Sequence, residues 1–187
     1  MTPRVSEPAA GFSLVEMLLV VGVVGVLSAI TVMVMPVALL SARADSGAAQ
    51  VVSALRLARE EAIAQRRNVR VTFTAPNRIV ISRVEVPGPG TTVINQVWLE
   101  GSLTFRLFGE IPDTPDAFGN ADAWSFGGAN AIAFTSSGEF VDQNGDPVNG
   151  TVFIGRAHEP LSARAVSIFG PTALVREWRW DGSRWTN

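Results

Sequence analysis

A chain of 187 residues has room for one membrane segment and one domain of ordinary size. It contains no Cys, which excludes a disulfide framework and a thiolate metal site. Its net charge of -2, with all 15 basic residues Arg, gives no global attraction to nucleic acid, so such binding would need a local patch.

No charged residue occurs in 17–42, a run rich in Val and Leu. About 20 apolar residues at 1.5 Å rise cross a bilayer core, so this run is long enough to span it. Gly22 and Gly25 are tolerated in a membrane helix. Secretory h-regions are shorter, about 7–15 residues, yet Ala42-Arg43-Ala44 has the A-x-A pattern of a signal-peptidase site. A cleaved secretory signal and a plain signal anchor therefore compete as explanations. Glu16, one residue before the run, argues against both. A carboxylate at bilayer depth costs about 2.5–3.5 kcal/mol, and such groups are usually functional and paired.

The stretch Gly11-Phe12-Ser13-Leu14-Val15-Glu16 resembles the processing site of type IV prepilins and type II secretion pseudopilins. The resemblance implies cleavage after Gly11 by a prepilin peptidase, which also methylates the new N-terminal Phe12. It implies that Glu16 is kept for assembly with other pilins or pseudopilins in a filament. The physics agrees with that role. In a low-dielectric helix bundle a carboxylate and the ammonium of a neighbouring subunit neutralise one another and set axial register. The leader departs mildly from the family pattern, with Arg4 its only basic residue. Arg4 and Arg43 flank the run without a useful charge asymmetry, so topology rests on the resemblance. It implies a single-pass inner-membrane protein with its C-terminal domain in the periplasm, reaching the cell surface if the filament does. Pro36 removes a backbone donor and is expected to kink or loosen the helix.

The region 41–67 continues with helical spacing. Ala48, Val52, Leu55, Ala58 or Arg59, and Ala62 form a stripe expected to face a sheet. Arg56, Glu60 and Arg67 lie off that stripe and are expected in solvent, with Arg56 and Glu60 at i,i+4 pairing distance. After Asn68 the period becomes two: Val69, Val71 and Phe73 alternate with Arg70, Thr72 and Thr74 in a half-buried strand. Further strands are predicted at 78–86, 91–99, 103–108, 131–134, 151–154, 163–168, 175–180 and 184–185. The segment 110–128 reads as a loop, and Asp181-Gly182 as the turn of a terminal hairpin.

A long helix followed by antiparallel strands is an α+β pilin layout. Its expected division is a leader at 1–11, a transmembrane and filament-core helix at 12–42, and a periplasmic domain at 43–187. That domain would comprise a helix at 43–67 and a β-rich part at 68–187. Two patches narrow the family: Ala58 through Arg67 with the strand after it, and Phe134-Thr135-Ser136-Ser137-Gly138. Both resemble the H-type minor pseudopilins, the GspH/FimT family. The resemblance implies a structural subunit of a type II secretion pseudopilus or a type IV pilus. Residues 170–176 match the family's C-terminal pattern poorly.

No enzyme is expected, and no cofactor. His158, the single histidine, lies beside Glu159 and Pro160 without evident catalytic partners, and no nucleotide-binding or HExxH pattern occurs. Asp142-Gln143-Asn144-Gly145-Asp146 begins like a calcium loop, but Pro147 stands where Gly is required and Phe153 where the bidentate Glu belongs. A polar turn is the ordinary explanation. Asp113, Asp116 and Asp122 are weak candidates of the same kind. At the C-terminus Arg176, Trp178, Arg179, Trp180, Arg184 and Trp185 interleave cations with aromatics, the composition of a nucleic-acid stacking surface. Arg176, Arg179, Arg184 and Trp185 are the candidate DNA contacts of an uptake pilin. The alternative is a hairpin whose tryptophans pack on the sheet and whose arginines pair with Glu177 and Asp181.

Overall fold

The computed structural model describes residues 13–88, 90–129 and 131–187, and the chain divides into two compact units, Met1–Leu39 and Leu40–Asn187. The helix α1 (Leu14–Gln65) contributes to both. Ser13 caps its start: Ser13 Oγ accepts from Glu16 N at 3.1 Å, and Ser13 O accepts from Met17 N at 3.1 Å. Ser13 and Glu16 have the spacing of a capping box, which satisfies a donor the first turn would otherwise leave unpaired. Helical structure is continuous through Pro36, so the missing donor does not end the helix. The far end closes as Arg67 N donates to Ala62 O at 3.2 Å and Arg66 N to Ile63 O at 3.3 Å, with Arg66 at φ 51. This is a Schellman cap with Arg in the left-handed position that usually holds Gly.

Among the described residues the second unit carries eleven strands in two sheets. The first has the order β3 (Thr91–Trp98), β2 (Arg78–Val84), β1 (Val69–Thr74), β6 (Ile132–Phe134), β7 (Phe140–Val141). The second runs β11 (Trp185–Thr186), β10 (Leu174–Trp180), β9 (Glu159–Phe169), β8 (Gly150–Arg156), β4 (Thr104–Phe105), with β5 (Trp124–Ser125) also on β8. All pairings are antiparallel, giving an α+β fold.

Ala44, Ala48, Val51, Leu55, Ala58 and Ala62 are buried along α1, against inner residues of both sheets such as Val71, Ile81, Phe134, Ile154 and Val166. The stripe is rich in Ala because the backbone approaches closely. At Gly47 an added Cβ would fall 2.3 Å from Leu103 Cδ1. Arg56 and Glu60 are exposed, with no ion pair between them among those described, while Arg67 pairs with Glu85 at 2.9 Å. A second core of Phe108, Ile111, Phe153, Ala163, Ala165, Trp178, Trp180 and Trp185 covers the opposite side of β8–β11. Hence β9 is buried on both faces from Ser162 to Ile168.

The loop expected at 110–128 contains β5, and β7 lies in what reads as a polar connection. Each has only two residues, too short to show a period. The strand expected at 103–108 is laddered to β8 at Thr104–Phe105, with one further bond from Arg106 N to Phe153 O at 3.0 Å; beyond it, Phe108 and Ile111 turn into the second core.

Candidate assembly helix and candidate nucleic-acid face

In the first unit, Leu14–Val32 is a helical stretch of 19 residues with mean hydropathy 2.4, long and apolar enough to cross a membrane, and 0% of it is buried. Side chains all round the helix are apolar and exposed, including Leu14, Leu18, Val21 and Leu27. A helix apolar all round needs a bilayer or other helices about it. Glu16 lies in the first turn, where the helix dipole favours a carboxylate, and is exposed. Gly11 and Phe12 lie outside the described residues.

In the second unit, the C-terminal tryptophans face inward. Trp178, Trp180 and Trp185 are 9%, 8% and 8% exposed, and Trp180 and Trp185 meet edge to face at 5.5 Å. Their polar handles are used internally: Trp185 Nε1 donates to Pro112 O at 2.8 Å, and Trp178 Nε1 to Ser167 Oγ at 3.0 Å. These rings offer no open face for base stacking, because sheet alternation turns them onto the second core.

The four candidate DNA contacts do not converge on one patch of free charge. Arg176 shares a face with Trp178, and its Nη1 donates to Asp116 Oδ1 at 2.7 Å. Asp116 also accepts from Ser167 Oγ and Trp178 Nε1, so this loop carboxylate gathers three groups from β9 and β10. Arg179 is exposed, and Arg184 is exposed beside Asp181 at 3.4 Å. Asp181 caps the hairpin turn, accepting from Ser183 N and Arg184 N at 2.8 Å each. The backbone bonds from Arg184 and Ser183 bring its carboxyl down to about 2. The expected pairing with Asp181 is present for Arg184, whereas the Arg176 partner is Asp116 in a distant loop.

Sequence patterning missed Arg164. It is fully buried within the apolar run of β9 and spends its donors on five acceptor contacts. Nε donates to Asp45 Oδ1 at 2.6 Å, Nη2 to Ser41 Oγ at 3.1 Å and Ser41 O at 3.4 Å, and Nη1 to Ala163 O at 2.9 Å and Leu161 O at 3.2 Å. It thereby ties α1 to β9 near the start of the second unit. Nearby, burial raises the Glu177 carboxyl, the negative charge of Asp45 adds to the rise, and Arg164 opposes it. The signal was one Arg between Ala163 and Ala165, within a stretch otherwise fit for a core strand.

The 142–146 segment is a closed turn. Asp142 Oδ1 accepts from Asn144 N at 2.8 Å and Asp146 N at 3.0 Å. Burial pushes its carboxyl up, but the amides of Asp146 and Asn144 outweigh that and hold it below the ordinary value. Asp113 likewise accepts from Thr114 N and Gly119 N. Among the described residues no three His, Cys, Asp or Glu side chains cluster as a metal site. His158 occupies the turn between β8 and β9 at φ 64.

The two patches that narrowed the family touch: Arg59 Nε on α1 donates to Gly138 O at 3.0 Å. A Cβ on Gly138, at φ 86, would fall 2.9 Å from Ile63 Cδ1. The family described as type II transport protein GspH matches residues 47–172, which spans both patches. Among solved structures, the minor pseudopilin EpsH of the type 2 secretion system of Vibrio cholerae is similar, at 18% identity and TM-score 0.50. The likeness covers 73% of this chain and 97% of that one, and at this identity it concerns the fold. The type IV minor pilin FimU of Pseudomonas aeruginosa is 18% identical over 76% of this chain and 97% of its own, with TM-score 0.48. No curated protein matches the chain.

Proposed function

Because the chain belongs to the GspH family of type II transport proteins, we propose that it is a membrane-anchored minor pseudopilin, a structural subunit that enters a filament through its N-terminal helix. The observation that carries this is an uncovered apolar helix, Leu14–Val32, with Glu16 in its first turn, in a chain whose domain belongs to that family. In this account a prepilin peptidase cuts after Gly11 and methylates Phe12. The helix holds the subunit in the inner membrane with its domain in the periplasm, then moves into the filament core. Glu16 meets the Phe12 ammonium of a neighbouring subunit. At about 4 Å and an effective dielectric of about 20 that attraction is about 4 kcal/mol before desolvation, enough to select one axial register.

Of the two host machines, type II secretion is preferred, since the family's description names type II transport. Glu16→Gln tests the helix role, because it keeps the side chain's size and removes its charge. Cleavage after Gly11 should continue while recovery in sheared filaments falls to background. Unchanged recovery would contradict the role given to Glu16. The DNA-uptake alternative predicts a salt-sensitive gel shift that weakens in Arg179→Ala and Arg184→Ala; the buried tryptophans favour no such shift.

A further inference from the structure

We propose that a groove between α1 and the start of β10 binds an apolar side chain together with a carboxylate beside it, presented by an extended segment of a partner protein. The groove has a volume of about 310 Å³ and lies wholly in the second unit. Its apolar lining comes from three elements: Leu55 on α1, Phe134 on β6, and Ala173, Leu174 and Val175 where β10 begins. Leu55, Phe134 and Ala173 are buried, whereas Leu174 is 52% exposed, so apolar surface continues from the floor out over the rim.

Two guanidinium groups border that lining. Arg56 and Arg59 are three residues apart on α1 and therefore neighbours on one side of the helix. Among the described residues no acid lines the groove with them. Arg56 is exposed and makes no hydrogen bond or ion pair among the described residues. Arg59 is anchored through Nε, which donates to Gly138 O at 3.0 Å, and its Nη groups bond nothing else among the described residues. By contrast, Arg67, Arg164 and Arg176 each have a carboxylate partner. Neighbouring like charges on a helix repel, and a carboxylate set between them relieves the repulsion and adds charge-assisted hydrogen bonds.

Charge thus selects an anion, and the lining selects what carries it. A free phosphate would use the two cations and leave the apolar floor wet. Small-molecule sites occupy about 300–1,000 Å³, so this groove stands at the lower limit and suits one large side chain better than a cofactor. The rest of the occupant then runs outside the cavity, over the exposed Leu174, as an extended chain does. Its carboxylate is either an Asp or Glu next to the apolar residue or a chain terminus. The inference uses the second unit alone and stands whether or not the chain enters a filament.

The test uses the full chain in uncharged detergent micelles and three Gly/Ser octapeptides with an uncharged fluorescent label. One ends in Phe with a free carboxylate, the second is its C-terminal amide, and the third has an internal Glu-Phe pair and both ends blocked. Anisotropy, measured against empty micelles, should show saturable binding of the first or the third with a Kd of about 100 μM or tighter. Which of the two binds tells a terminal from a side-chain carboxylate. The amide should bind about tenfold more weakly or worse. Arg56→Gln should weaken the carboxylate peptide by about tenfold and Arg56→Lys by less. Arg70→Gln, an exposed cation on the outer face of β1, should leave binding unchanged. Circular dichroism should be the same in all three variants, since each replaces an exposed side chain. No saturable binding of either carboxylate peptide up to about 1 mM would overturn the proposal. So would an amide that binds equally well, or binding that Arg56→Gln leaves intact.

Discussion

Arg164 on β9 donates Nε–H to Asp45 Oδ1 on α1 at 2.6 Å, the guanidinium fully buried and the carboxylate 45% exposed. The two ends of this pair are therefore unequal. Asp45→Ala leaves a cation in the core without its hydrogen-bonded counter-charge, whereas Arg164→Met leaves a carboxylate that water can reach. We expect Asp45→Ala to destabilise the second unit by about 3 kcal/mol. Arg164→Met should cost less, because its apolar stem fills the site and the freed Asp45 is solvated. Urea unfolding of the full chain, followed by the fluorescence of the buried tryptophans, measures both. Equal costs would mean that lost carbonyl contacts, not charge, dominate.

Glu177 gives a pH-dependent counterpart. Its carboxyl is raised by burial first and by Asp45 second. A raised acid stabilises the fold only where it is protonated, so this contribution is present below the ordinary 4.5 and is lost as pH rises through the folded value. Glu177→Gln should therefore be more stable than the unmodified protein at neutral pH and equal to it below the ordinary carboxylate range. A constant difference across that range would rule out titration as the cause.

Asp181 titrates in the opposite sense. Its carboxyl is held at about 2 by the backbone amides of Arg184 and Ser183, against an ordinary 3.8. Its contribution is present above 3.8 and is lost as pH falls through about 2. The β10–β11 hairpin should thus loosen in strong acid, with Trp180 and Trp185 separating from their edge-to-face contact. A tryptophan signal that changes with acid in the unmodified protein but not in Asp181→Asn checks this.

Gly170 joins the two sheets. Its O accepts from Phe140 N of β7 at 2.9 Å, its N donates to Asn149 Oδ1 at 2.9 Å, and an added Cβ would lie 2.6 Å from Val148 N and O. Backbone cannot move aside as a side-chain tip can. Gly170→Ala should cost about 3 kcal/mol, the upper part of the range for overpacking. Gly145→Ala, at an open turn with φ 89, should cost less because it carries strain without a clash.

Local rules made much of this fold legible. The alternation from Val69 to Thr74 marks β1 with its observed bounds, and the three- and four-residue spacing marks the buried stripe of α1. What stayed hidden depends on distant partners. Asp116 sits in an irregular loop, and nothing nearby foretells that Ser167, Arg176 and Trp178 meet at its carboxylate. Arg164 looks like a solvated strand residue until β9 is seen to be covered on both faces. The inward turn of Trp178 and Trp180 follows from alternation, but composition alone suits a stacking surface equally well. β5 and β7 are held by tertiary pairing and have too few residues for any periodic signal.

The proposed path from membrane to filament begins with one bond. Mass spectrometry of the intact protein recovered from membranes of its native cells, with sequencing of its N-terminal peptide, tests it most directly. The expected mature chain begins at N-methylated Phe12 and retains the whole apolar helix. A chain that begins at Asp45, or one that keeps Gly11 and the residues before it, would contradict the account.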